Sequence, residues 1–198
     1  MEFVILTMSA KHGGYCVAGI DMETGLFKRL VLDENGTAIP REYMYHLRPL
    51  DVIDINVVKD APETCQTENV IVDWNSKHKL KTITLQDVLQ KHPLDTPRFL
   101  FVNNNYYLWE NKALSLNHSL LIVQVKDMVI YTEPGGKTKG SFLYNGKTYC
   151  NMSITDWDYM NKNQMIETAI IVLSIPNKRF DEDSECYFKF IAKIYKVI

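Results

Sequence analysis

The amino-acid sequence predicts a mostly β protein: two small five-stranded barrels in tandem, accompanied by short helices. Three observations carry this expectation. Residues 1–32 read as a three-strand meander with tight glycine turns at Gly13-Gly14 and Thr24-Gly25. Asn145-Gly146 sits between two strand-like runs, a strong short-range hairpin signal because both turn positions need positive φ. The order of three strands, a short connection and two more strands can be read twice along the chain.

In the first half, residues 2–8 form a continuous apolar run rich in β-formers, followed by strands over 15–21 and 26–32. Asp33 to Gly36 is a loop, and Pro40 opens a short helical turn, since proline suits a helix start. Strands over 50–58 and 69–73 complete the set. That order is the one found in an OB-type barrel. Thr84 and Asp87 mark the start of a short helix, with Thr84 as the cap and Asp87 at the positive end of the helix dipole.

Residues 94–117, with their Asn103-Asn104-Asn105 run, are expected to connect a first barrel over 1–93 to a second over 118–198. The second half reads as one long strand over 119–131, bent at Lys126-Asp127, then strands over 140–144 and 147–154. Thr155 to Asp158 resembles a helix start. A strand over 168–175, a charged loop over 176–184 and a last strand over 186–197 follow. A single continuous β-sandwich is the rival architecture.

A chain of 198 residues buries about 70% of its unfolded surface and needs no staple. A net charge of -2 argues against a surface devoted wholly to nucleic acid, while leaving room for a local basic groove. Glu2 stands where an export signal would carry a basic residue, and the apolar run after it is too short for export or a membrane span. Four scattered cysteines, with no Cys-x-x-Cys pair, point to reduced thiols and a cytoplasmic protein.

Five histidines without ligand spacing give no metal site, and no cofactor motif is present. Lys11, His12 and Cys16 could form an activated thiol, with Asp21 nearby in sequence. Equally, Cys16 could be a small core residue. Gly13-Gly14 lacks the surroundings of a phosphate loop and is better explained as a turn. The acids at 156, 158 and 181–185 form no acid–base pair.

Nucleic-acid binding is the reading that remains. Trp74 lies beside Lys77, Lys79 and Lys81, and a second basic-aromatic group comprises Lys137, Lys139, Phe142, Tyr144, Lys147 and Tyr149. Phe142 and Tyr144 are expected on one face, with Lys147 and Tyr149 on another. Single-strand binders combine stacking rings with cationic grooves. The competing explanation puts the rings in the core and the lysines on a solvated edge.

Lys11 to Gly14, Cys16 to Asp21, Thr24-Gly25 and Arg29 to Val31 together resemble the opening motif of the dual OB-containing domain family, a largely uncharacterised and mostly bacterial group. That family tends to carry tryptophan after the Thr-Gly turn, where this chain has Phe27. Gln66 with Glu68 to Asp73, Phe142 to Tyr149, and Ser153 to Asp156 extend the resemblance through most of the chain. It implies two OB-like barrels and, by analogy, nucleic-acid binding.

The expected binding residues are therefore Lys11, His12, Cys16, Asp21, Arg29, Gln66, Asn69, Trp74, Lys77, Tyr144, Lys147, Thr155 and Asp156. The expected partner is single-stranded nucleic acid or a nucleotide. The alternatives are an enzyme or small-ligand site on the first motif, or a protein-interaction scaffold using exposed strand edges.

Overall fold

A computed structural model describes residues 1–11, 13–177 and 185–197. The chain divides into two compact units, Met1–Leu94 and Asp95–Ile198. The first contains β1 (Glu2–Lys11), β2 (Gly14–Asp21), β3 (Phe27–Val31), β4 (Asp51–Asp60) and β5 (Asn69–Thr82). These close into a barrel in the order β1-β2-β3-β5-β4. Every seam is antiparallel except β3 with β5, which is parallel and holds three register pairs.

Alternation along the strands sends Phe3, Ile5, Val17, Leu30, Ile53, Ile55, Val70, Val72 and Trp74 into one core. β1 bulges between Ile5 and Thr7, where its partner is Gly19. A Cβ on Gly19 would fall 1.8 Å from the Val4 carbonyl oxygen, so the backbones can approach this closely only with glycine.

Helix α1 (Leu85–Lys91) starts with a reciprocal capping box between Thr84 and Asp87. Its C-terminal end rests on the β2–β3 turn. Asp21 accepts hydrogen bonds from Glu23 N and Thr24 Oγ1, and Gly25 N donates to the Asp21 carbonyl. Gly25 takes φ +71° under the Lys91 carbonyl. His92 Nδ1 lies 2.8 Å from the Gly25 oxygen, and its ring packs on Phe27 at 4.3 Å.

The second unit begins with β6 (Tyr107–Trp109) and α2 (Glu110–Ala113). It continues through β7 (Leu120–Thr132), β8 (Thr138–Tyr144), β9 (Lys147–Ile154), β10 (Gln164–Ser174), β11 (Cys186–Phe188) and β12 (Phe190–Lys196). The barrel order β7-β8-β9-β12-β10 repeats that of the first unit, again with a parallel seam, here β9 with β12. β6 and β11 form a separate two-stranded ribbon. The bend in β7 falls where expected: the register with β8 breaks between Lys126 and Val129, and Asp127 takes φ 50°.

Four local expectations change. β5 runs on to Thr82, because its polar C-terminal half still pairs with β4. A turn over 157–161 takes the place of the helix expected to start at Thr155, and the Asp156 carboxylate is occupied by Lys193 and Ile194 N. The last strand is broken at Lys189, whose side chain turns inward. Residues 95–117 belong to the second compact unit and carry a 3-10 turn (Leu100–Val102), β6 and α2. Of the expected charged loop over 176–184, residues 178–184 lie outside the described residues.

Candidate functional site

The residues of the first motif separate. Lys11 donates to the Gly36 carbonyl at 2.5 Å, and Asp21 is taken up by the Thr24 turn. Lys11 pairs with Gly14 and Asp21 with Phe3, so the two lie at opposite ends of the β1–β2 hairpin. His12 lies outside the described residues. A Cβ on Gly14 would meet the Ile39 carbonyl oxygen at 2.4 Å, and Tyr15 and Ile39 exchange backbone hydrogen bonds beside it. Gly14 serves this chain crossing, while Gly13 supplies the positive φ of the turn, +84°.

Cys16, Arg29, Gln66 and Asn69 do come together. Arg29 Nη1 donates to Cys16 Sγ at 2.8 Å and Nη2 to Glu68 Oε1 at 3.3 Å. Arg29 N also donates to the Glu68 carbonyl. Asn69 Nδ2 donates to Gln66 Oε1 at 3.3 Å. Arg29, Gln66, Glu68 and Asn69 are buried, and Cys16 is half-buried. Burial opposes the Arg29 charge, but Cys16 and Glu68 outweigh it and hold the guanidinium charged. Burial pushes the Cys65 thiol up. This cluster bridges the β3–β5 seam and offers solvent little beyond the sulfur. Glu68 is absent from the expected binding set; the signal for it was an acid next to the start of a strand, matched by an arginine interrupting an apolar one.

Trp74 is 3% exposed, so its ring cannot serve as an open stacking platform. The ring it supports reaches the surface. Tyr43 is half-buried 5.9 Å from Trp74, and Lys77 Nζ lies 5.9 Å from the Tyr43 centroid. Met44 enters the core and anchors the 3-10 turn Arg41–Met44, which leaves the flanking residues outside. Tyr45 is 73% exposed and meets His46 edge-on at 4.2 Å. Arg41, Arg48, His78, Lys79 and Lys81 are exposed as well.

Two anchors tie this surface to the barrel. Lys79 Nζ lies 2.8 Å from Asp51 Oδ1, and Thr82 Oγ1 donates to the same oxygen at 2.6 Å. Arg48 N donates to Asp51 Oδ2. Burial works against ionisation of Asp51, yet these donors prevail and hold its carboxyl below the usual range. The alternation of ring and base over residues 41–48 was the unread signal for this surface.

In the second unit the expected faces are corrected. The two-residue Asn145-Gly146 turn sets Tyr144 opposite Lys147 and Phe142 opposite Tyr149, so all four side chains share one face. Phe142 and Tyr149 stack inside the barrel at 5.5 Å. Tyr144 is 6% exposed and donates to the Pro97 carbonyl at 2.8 Å. Burial raises the phenols of Tyr144 and Tyr149.

Lys147 stays at the surface, Nζ 5.0 Å from the centroid of Phe99, a ring also approached by Arg98 at 5.5 Å. Phe99 is half-buried and Arg98 exposed. Thr155 N donates to the Ile191 carbonyl. Asp156 is buried, with Lys193 Nζ at 3.1 Å; burial pushes its carboxyl up in spite of that lysine. Thr155 and Asp156 therefore hold the β9–β12 seam together.

Among the described residues no helix is long and apolar enough to cross a membrane. No curated protein and no solved structure matches the chain. The model of the dual OB-containing domain matches residues 1–194, in agreement with two closed barrels of identical strand order. The chain belongs to the dual OB-containing domain family.

Proposed function

We propose that this protein is a binding module for single-stranded nucleic acid. The observation that carries the reading is that each barrel unit holds a lysine over a half-buried ring at its surface: Lys77 over Tyr43 and Lys147 over Phe99. Cations follow a phosphate backbone and rings accept bases of any sequence, which is the chemistry of single-strand recognition. In the first unit Tyr45, His46, Arg48, Lys79 and Lys81 extend the surface; in the second Arg98 does so. The contact set is thus Tyr43, Tyr45, Lys77, Lys81, Arg98, Phe99 and Lys147, in place of the buried Trp74, Tyr144, Arg29 and Asp156.

Fluorescence anisotropy with labelled single strands at low and moderate salt tests this. Micromolar or tighter binding that weakens steeply with salt supports the proposal, and no binding at low salt removes it.

A second reading, a thiol-centred small-ligand site, draws on the Arg29–Cys16 contact at 2.8 Å. The half-buried sulfur sits beside the guanidinium where solvent reaches the cluster. Labelling of Cys16 no faster than that of exposed Cys150 would eliminate this reading.

A further inference from the structure

The ribbon of β6 and β11 is no part of the second barrel's sheet, and its middle pair, Leu108 and Tyr187, is buried. Alternation turns the flanking pairs, Tyr107 with Phe188 and Trp109 with Cys186, to the opposite face. Tyr106 joins them, its ring 5.1 Å from Tyr107 and 5.8 Å from Phe188, and Trp109 meets Tyr107 at 5.4 Å. Four rings thus gather on one short ribbon. Two of them are exposed, Tyr106 by 39% and Trp109 by 51%.

This face differs from the lysine-capped rings in three ways. The planes are turned by 73° between Tyr106 and Tyr107, 85° between Tyr107 and Trp109, and 50° between Tyr106 and Phe188. Rings so tilted offer slots between faces and edges, not one flat platform for a base. Among the described residues no cation stands over Tyr106, Tyr107 or Trp109, and neither the two phenol hydroxyls nor the Trp109 indole N–H makes a hydrogen bond. Acids gather at the Trp109 end: Glu110 follows Trp109, exposed Glu185 precedes its partner Cys186, and Glu110 N donates to the Glu185 carbonyl at 2.8 Å. Lys112, exposed on α2, is the one lysine in the segment 103–113.

We propose that this face binds a proline-rich protein segment in the polyproline II conformation, with a basic residue toward its Trp109 end. A polyproline II strand has no internal hydrogen bonds, so its carbonyls need outside donors. Two phenol hydroxyls and an indole N–H are neutral donors of that kind. Proline rings are apolar and conformationally preset, and they fill slots between aromatic side chains at little entropic cost. Contact with Tyr107 holds the Tyr106 and Trp109 rings in place before anything binds. Glu110 and Glu185 attract a flanking arginine or lysine and repel phosphate, which separates this face from the surface assigned to single strands. The proposal does not rest on the nucleic-acid reading.

Fluorescence anisotropy of the full chain with labelled decaproline flanked by arginines tests it, against a glycine-serine peptide of equal length and charge. Saturable binding tighter than about 1 mM, absent for the control, is the expected result. Trp109→Ala should weaken it about tenfold or more, and Tyr107→Phe, which keeps the ring and removes the hydroxyl, by about two- to tenfold. Glu185→Lys should erase the advantage of the arginine-flanked peptide over decaproline alone. A proline peptide that does not saturate, or binds no better than the control, overturns the proposal even if a substituted chain fails to fold. Displacement of the peptide by a neutral oligosaccharide or by single-stranded DNA overturns it as well, since the rings would then belong to another ligand.

Discussion

Glu68 meets Arg29 across the parallel seam of the first barrel, Oε1 3.3 Å from Nη2, with both side chains buried. The second barrel bridges its own parallel seam with the polarity exchanged. There the acid, Asp156, follows the third barrel strand, and the cation, Lys193, sits on the fifth, 3.1 Å away. These seams are short, with three register pairs in one and two in the other. A buried ion pair adds a directional bridge where the backbone ladder has little length.

Removing one partner should therefore be costly. Glu68→Ala is expected to lower unfolding free energy by about 3–5 kcal/mol, because Arg29 would remain charged in a buried setting. Replacing both by apolar residues, Arg29→Met with Glu68→Leu, should recover most of that loss. Urea denaturation measures both; a single substitution costing under about 1 kcal/mol would refute the seam argument.

Acid should act through Asp51. Its folded-state carboxyl lies below the ordinary range, so the stability it contributes is present above about pH 3.9 and disappears as pH falls through the lowered value. The difference in urea midpoint between the unsubstituted protein and Asp51→Asn should shrink steadily from about pH 5 downward. A difference that stays constant to pH 2 contradicts this account.

Gly19→Ala should abolish folding of the first barrel. The new methyl would lie 1.8 Å from the Val4 carbonyl oxygen, which is backbone and cannot swing aside, and 2.8 Å from the Phe3 ring. Circular dichroism and soluble yield report the result. A variant with native-like melting would show that the bulge at Ile5 to Thr7 can absorb the shift.

Binding should divide by residue type. Lys77→Ala, Lys81→Ala and Lys147→Ala should each reduce the salt slope of single-strand affinity by about 0.7. Tyr45→Ala should cost about 1–3 kcal/mol with the slope unchanged. Anisotropy titrations across salt separate the two effects. Equal slopes for all lysine variants would detach the surface from phosphate contact.

Local signals were readable because their causes are local. Thr84 and Asp87 cap a helix through neighbouring backbone groups, Asn145-Gly146 supplies positive φ, and Lys126-Asp127 interrupts an apolar run where β7 bends. Strand order followed from such punctuation, and with it the two-barrel architecture.

The candidate site was read less well. Alternation shows which residues share a face of a strand, but barrel closure determines which face turns inward. For that reason Trp74 and Tyr144, conspicuous in the sequence, are interior, while Tyr43 and Phe99 carry the surface lysines.

The sequence by itself determined the order of the strands and the chemistry of the turns. Tertiary structure alone decided that Arg29 finds Glu68, Lys193 finds Asp156, and Lys189 breaks the last strand to reach Leu100 and Asn103. Those partners are 39, 37, 89 and 86 residues apart in the chain. Such pairs form only when the barrels close, and short-range pattern carries no record of separations that long.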